Sequence, residues 1–298
     1  MKILCTGGTS FVGAPLVRQL IEDGDEVRVL SRSKHWPRRL KGVSYDHYEG
    51  DIRDQHAVAR AAVGCDSVIH LAYAPVRAPA REILDTAARG MSSVLRACEL
   101  YGIRDMLLVS SPRAQDPGDL YGIGKQVQEQ MAEAWLRSGT FRRVVNARVY
   151  NVYGPDMGID HVIPQFISRM LALKRMHRKE PVIPFPVGGS GRDGRSFLWT
   201  DDCTRQLITL FRHGSPGFST YDVGDMSTEC AIGDLAHLIA DCLGCTIEVK
   251  PGAPNAKVTA RFPELSLLLT ELPRRDLASG LLETVEWYAE NEEVFCGG

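Results

Sequence analysis

The stretch MKILCTGGTSFVG, residues 1–13, sets the reading of this chain. Its first five residues are an apolar run of strand length. TGGTSFVG (6–13) follows, and then the helically spaced APLVRQLIEDG (14–24). A glycine-rich turn between a strand and a helix aims backbone amides and a helix N-terminus at one anion-sized site, which fits a phosphate. The spacing Gly7, Ser10, Gly13 departs from G-x-G-x-x-G. Ser10 stands where glycine would allow the closest backbone approach, and its hydroxyl can donate to a phosphate oxygen in partial compensation.

Outward from that turn, one theme repeats through the first half. The apolar runs KILCT (2–6), EVRVL (26–30), SVIHLA (67–72), MLLVSS (106–111) and VVNARV (144–149) alternate with helical patterns at 14–24, 55–64, 83–102 and 121–139. Several of these end in glycine, at Gly24, Gly64, Gly102 and Gly139, as helix C-termini do. Continuously apolar strands separated by helices predict an α/β, doubly wound, Rossmann-like parallel sheet, with ligands beyond the strands' carboxyl ends. From about Gly154 the regularity weakens, and Pro155, Pro164, Pro181, Pro184 and Pro186 mark irregular connections. The expected organisation is a dinucleotide-binding domain over 1–155, completed by about 195–224. Segments 156–194 and 225–298 then form a smaller substrate-binding lobe.

Composition narrows the function classes. The chain has 298 residues, 44% apolar and 24% charged, with a formal net charge of −2. That balance fits a globular protein and gives no basic stripe for nucleic acid or an anionic membrane. No apolar run is long enough to span a bilayer, and the first residues read as a strand, so a cytoplasmic location is expected. The eight cysteines are scattered, and Cys242 and Cys245 form a lone CxxC across an expected helix end. That pattern reads as packing, with no metal site. The basic run RMLALKRMHRKEP (169–181) reads as a solvated face, with a diphosphate contact as the alternative. His70 reads as a packed residue near the cofactor, and Trp135, Trp199 and Trp287 as core. Asp201 and Asp202 read as a turn and helix N-cap.

A second constellation carries chemistry. Tyr121 and Lys125 are four residues apart in a helical segment, hence on one face. A nearby lysine cation, with an oxidised nicotinamide, favours the phenolate and brings it into range for acid or base work. Ser110 and Ser111 end the preceding strand, so a hydroxyl projects beside that phenol.

These residues together resemble the extended short-chain dehydrogenase/reductase superfamily, in particular the NAD-dependent epimerase/dehydratase group acting on nucleotide-sugars. The resemblance runs through nearly the whole chain. TGGTSFVG resembles the dinucleotide loop, implying cofactor contacts at Gly7, Ser10, Phe11, Val12 and Gly13. Gly50-Asp51-Ile52-Arg53-Asp54 resembles the adenine-side segment and implies Asp51 and Ile52, while VIHLA (68–72) implies Leu71 and Ala72. Ser111, Tyr121 and Lys125 fall on the family's catalytic positions, with the last two also touching the cofactor. ARVYNVYGP (147–155) implies Asn151 near a sugar diphosphate, and the Arg195-Ser-Phe run implies a diphosphate contact for Arg195. Family likeness and apolar content imply a homodimer through the helix from Tyr121 and that over about Ile83–Leu100.

The departures bear on the reaction. After Ser111 the family continues toward Val-Tyr-Gly, whereas this chain has Pro112-Arg113-Ala114-Gln115, and Ala87 stands where asparagine is common. Dehydratases of the group carry Thr-Asp-Glu at the serine position. Ser-Pro-Arg supplies neither acid, which leaves epimerisation by transient oxidation or net reduction of a keto-sugar. Reduction of another carbonyl compound and a non-catalytic binding role stand as alternatives. The second apolar run ends VRVLSRS (27–33), with Ser31 and Arg32 where an acid would select NAD and Ser33, Lys34, Arg38 and Arg39 close behind. A guanidinium there pairs with a 2′-phosphate, so NADP is expected, with NAD as the alternative.

Overall fold

The computed structural model describes residues 1–32, 38–177, 180–253 and 262–291. Ser33, Lys34, the 178–179 part of the basic run and Cys296 lie outside the described residues. The strands are β1 (Lys2–Thr6), β2 (Glu26–Ser31), β3 (Asp46–Glu49), β4 (Ser67–His70), β5 (Asp105–Ser110), β6 (Arg143–Val149), β7 (Asn151–Tyr153), β8 (Ile183–Val187), β9 (Gly194–Arg195), β10 (Phe197–Trp199), β11 (Gly217–Val223), β12 (Cys230–Ala231) and β13 (Ile247–Pro251). The helices are α1 (Gly13–Glu22), α2 (Gln55–Ala62), α3 (Ala80–Asp85), α4 (Met91–Tyr101), α5 (Leu120–Arg137), α6 (Val162–Met176), α7 (Thr200–His213), α8 (Ile232–Cys242), α9 (Leu267–Thr270) and α10 (Leu277–Glu290). By contact the chain divides into two compact units. The first comprises Met1–Val149, Cys203–Val223 and Glu264–Leu272; the second comprises the described residues of Tyr150–Asp202, Gly224–Pro263 and Pro273–Gly298.

In the first unit seven strands form one parallel sheet in the order β11-β6-β5-β4-β1-β2-β3. This is the doubly wound α/β fold read from the sequence. Both faces are covered. On one, Leu4, Leu30, Val58, Val68, Met91, Leu95 and Leu108 share a core under α2 and α4. On the other, α1 buries Leu16, Val17 and Leu20. Chain order reverses between β1 and β4, whose carboxyl ends are level because Thr6 pairs with His70. Ligands of such sheets bind at that reversal.

Two of the seven strands are not apparent in the apolar pattern. β3 and β11 lie at the sheet edges, and their sequences DHYE and GFSTYDV are half-exposed and largely polar. The pattern at 83–102 predicts one helix, and the structure breaks it into α3, a π-helical turn at Thr86–Gly90 and α4. Gly90 packs on Ile52 in that turn, where a Cβ would come within 2.6 Å of Ile52 Cδ1.

The second unit holds the β7-β10 and β8-β13 parallel pairs, the β9-β12 antiparallel pair, and α6, α8 and α10. Its core includes Tyr153, which meets Trp199 edge-on at 5.5 Å, and Phe166, which meets Phe185 at 5.1 Å. Of the tryptophans read as core only Trp199 is buried; Trp135 and Trp287 are half-buried. α8 ends at Cys242, Gly244 turns the chain, and Cys242 and Cys245 are half-buried free thiols whose pKa values burial raises. Asp201 and Asp202 are the second and third residues of α7, inside its first turn and past the cap position, and Asp202 accepts from the Arg275 amide at 2.7 Å.

Candidate active site

The opening turn is built by close backbone approach. Gly7 has φ +75°, and a Cβ on it would lie 2.7 Å from the Ala72 nitrogen, so the loop rests on the Leu71–Ala72 backbone that continues β4. Gly13 opens α1 where a Cβ would lie 2.4 Å from the Gly7 carbonyl oxygen. Ser10 Oγ accepts from the Gly13 amide at 3.0 Å, which leaves its own proton free to donate. Ser10, Phe11 and Val12 are open to solvent or half-buried in front of the helix N-terminus. These residues fit a dinucleotide diphosphate: the cradle admits no side chain at Gly7 or Gly13, and the α1 dipole faces it.

At the end of β5 the two serines diverge. Ser110 Oγ turns inward and donates to Glu129 Oε1 at 2.6 Å, while Ser111 hydrogen-bonds the Tyr121 phenol. Tyr121 lies in the first turn of α5, whose N-cap Asp119 accepts from the Gly122 amide at 2.9 Å. Burial raises the phenol's pKa, and Arg113 and the Ser111 hydrogen bond act against that rise.

The lysine of the pair is enclosed. Lys125 is buried and donates from Nζ to the Val109 carbonyl at 2.8 Å, with its ammonium 4.3 Å from the Tyr73 ring centroid. Burial pushes its pKa down to about 7, against the pull of Glu129 one turn along. A second charge stands beside the phenol, that of Arg113, whose guanidinium carbon lies 5.3 Å from the Tyr121 ring centroid. The spacing Tyr-x-x-x-Lys places both groups on one face, but the tertiary environment directs the lysine to backbone oxygen.

Three supporting residues were not assigned from the sequence. Tyr73 packs edge-on against Tyr121 at 5.1 Å and donates to the Tyr121 carbonyl at 3.2 Å, and burial raises its pKa. Gly124 makes room for it, since a Cβ there would fall 1.9 Å from the Tyr73 hydroxyl. Glu129 receives Arg148 through two bonds of 3.1 and 2.8 Å. Burial alone would raise the Glu129 pKa, but Arg148, Ser110 and Asn146 outweigh it and keep the carboxylate charged. The sequence signal for the Glu129 pair is its spacing of four from Lys125; for Tyr73 it is only proximity to the end of SVIHLA. His70 bonds Thr6 Oγ1 at 2.6 Å and Gln128 at 3.1 Å, and burial pushes its pKa down to about 3, so it stays neutral and packed.

On the adenine side expected from the sequence, Asp51 is held by Arg53 through bonds of 2.9 and 2.6 Å, which lower its pKa. The Ile52 side chain is buried against Gly90, so only its backbone is offered to a ligand. Arg32, at the end of β2, pairs with Glu82 at 3.3 Å with most of its side chain exposed.

In the second unit Asn151 and Arg195 line one cavity of about 390 Å³ with His161, Gln165 and Arg169. Asn151 donates to the Ser196 carbonyl at 3.0 Å and Arg195 to the Gly194 carbonyl at 2.6 Å. Arg169 stacks on Phe185 at 4.6 Å, so the start of the basic run faces this cavity and not only solvent.

Among curated relatives, a dTDP-glucose 4,6-dehydratase from Streptomyces niveus is 26% identical over 98% of this chain and 94% of its own. UDP-glucuronic acid decarboxylase 1 from Arabidopsis thaliana is 27% identical over 94% and 68%. Among solved structures, a UDP-glucose 4-epimerase with UDP-glucose from Thermotoga maritima aligns with a TM-score of 0.82 at 24% identity, over 98% of this chain and 100% of that one, a likeness of fold. Residues 3–224 match the profile of the NAD dependent epimerase/dehydratase family, which takes in the glycine turn, the Ser111, Tyr121 and Lys125 cluster and every strand of the sheet, and the chain belongs to that family.

Proposed function

We propose that this protein moves hydride at a sugar carbon of a nucleotide-sugar with NAD(P), as an epimerase or a keto-reductase. The observation that carries the reading is the side-chain set around the Tyr121 phenol. Ser111 bonds it, Arg113 faces it, and Pro112 and Arg113 stand where the dehydratase pattern has its two acids. Two nearby carboxylates are engaged: Asp119 by Arg113 and the Gly122 amide, Glu129 by Arg148 and Ser110. A carboxylate held by arginine is a poor proton carrier. Dehydration needs such a carrier beside the tyrosine, whereas interconversion of hydroxyl and ketone does not.

The nicotinamide would supply the hydride acceptor or donor. Tyr121 takes the proton of the sugar hydroxyl or returns it to the ketone oxygen, and Ser111 orients that oxygen. Lys125, fixed to Val109 and Tyr73, is assigned to the nicotinamide ribose. Asn151 and Arg195 are assigned to the sugar diphosphate, supported by the cavity they share. NADP is the proposed dinucleotide because β2 ends in Ser31 and Arg32; the exposed Glu82 pair is weak enough for Arg32 to exchange it for a phosphate. The free thiols among the described residues fit the reducing cytoplasm, and none of the described helices is long and apolar enough to cross a membrane.

Incubation with a panel of UDP- and dTDP-sugars and either dinucleotide, followed by mass spectrometry and NMR, tests the reading. Epimerisation gives a new sugar of unchanged mass, and reduction gives a gain of two hydrogens. Loss of water or of carbon dioxide would overturn it.

A further inference from the structure

Arg113 is a residue that the family pattern does not supply, and the chain invests several contacts in holding it. Pro112 opens a short 3-10 turn directly after β5, and Ser111 caps that turn by accepting from the Arg113 amide at 3.3 Å. The Arg113 carbonyl lies against the start of α5 so closely that a Cβ on Gly122 would come within 2.6 Å of its oxygen. Its guanidinium is clamped by Asp119, the N-cap of α5, and its carbon lies 5.3 Å from the Tyr121 ring centroid. Backbone and side chain are therefore both held in place, with 44% of the side chain still exposed.

We propose that Arg113 is a positioning residue for the Tyr121 phenol: clamped by Asp119 across the ring, it supplies the positive charge that stabilises the phenolate, a task the sequence assigns to Lys125. The inference rests on the reading of Tyr121 as the acid/base and adds the group that tunes it. The electrostatics around the phenol support it. From the 3-10 turn comes the Arg113 cation, and from the end of β5 the Ser111 hydroxyl; both favour the ionised form. From the segment after β4 comes Tyr73, itself kept neutral by burial. From α5 come Asp119, whose charge offsets part of the arginine's, and Lys125, whose ammonium is turned to Val109 and Tyr73. The first turn of α5 adds its positive dipole end. Against these stands burial of the phenol, the largest influence, which favours the neutral form. A fixed cation at this range opposes that burial and draws the phenol back toward its ionised form.

The test reads the phenol directly and needs no substrate. With 3-fluorotyrosine placed at position 121, whose phenol is more acidic, fluorine NMR follows its ionisation in cofactor-free protein, over the pH range in which circular dichroism shows the fold intact. Arg113→Gln is expected to raise the titration midpoint by about one pH unit or more. Arg113→Lys is expected to restore more than half of that shift, with the far-ultraviolet circular dichroism of both variants matching the parent. An unchanged midpoint in folded Arg113→Gln would overturn the proposal. So would a shift that Arg113→Lys leaves wholly unrestored, since that marks packing rather than charge. Failure of the underlying reading is seen separately, as full turnover in Tyr121→Phe, a result on which the fluorine titration does not depend.

Discussion

The Lys125 ammonium lies 4.3 Å from the centroid of the Tyr73 ring and donates to the Val109 carbonyl at 2.8 Å. A cation enclosed in this way loses water on every side and regains one carbonyl, one aromatic face and a distant carboxylate. Its pKa of about 7 follows from that imbalance.

Stability should therefore depend on pH through this one residue. Below about pH 7 the ammonium is charged in both the folded and the unfolded chain, and its burial penalty is fully felt. Between about 7 and the ordinary lysine value near 10.4 the unfolded chain binds the extra proton, so folding gains stability as pH rises. The melting temperature of cofactor-free protein, taken as the difference between the parent and Lys125→Met, is expected to move in the parent's favour from pH 7 to 10. A flat difference would show that Lys125 keeps its ordinary pKa in the fold.

Tyr121→Phe removes the proposed proton carrier and leaves a ring of the same shape against Tyr73 and Arg113. It should fold and bind dinucleotide as the parent does, and lose at least about a hundredfold in turnover. Full activity would exclude Tyr121 from the chemistry.

Gly7→Ala places a methyl group at 2.7 Å from the Ala72 nitrogen in a left-handed backbone. We expect a loss of at least about 1 kcal/mol in stability, read from the denaturant midpoint, together with loss of dinucleotide binding by calorimetry. Binding at parental affinity would mean that the phosphates lie elsewhere.

Calorimetric titration with NADP and NAD should favour NADP, and Arg32→Ala should erase the preference. If NAD binds as tightly or tighter, the assignment of Arg32 to a 2′-phosphate is wrong, and an epimerase that recycles bound NAD becomes the better reading.

Leu84 on α3, Leu100 on α4 and Ile123 on α5 are large apolar side chains that are 44%, 69% and 39% exposed, respectively. Pairing of these helices with a second copy would cover apolar surface of this kind. Light scattering at micromolar concentration is expected to give a dimer mass, and a monomer would exclude it.

The features legible along the chain are local ones. The five buried strands, the four helical patterns around them and the turn at Gly7 to Gly13 follow from runs and spacings within a few residues, because burial on both faces of a parallel sheet demands unbroken apolar runs. The edge strands β3 and β11 escaped, since an edge half in water accepts polar residues and leaves no such run. Tyr121 and Lys125 were legible as a pair because one helical turn separates them.

Where each polar group finds its partner, by contrast, depends on packing across the whole unit. Ser110 and Ser111 are adjacent in sequence, yet one serves Glu129 and the other Tyr121, because alternate residues at a strand end face opposite ways. Lys125 turns to Val109 and Tyr73, and Arg113 comes to face the Tyr121 ring because the 3-10 turn at Pro112 folds back onto the start of α5. A buried charge is settled by whichever donor or acceptor reaches it once the helices pack. That choice joins residues such as Tyr73 and Tyr121, far apart along the chain, which no local pattern records.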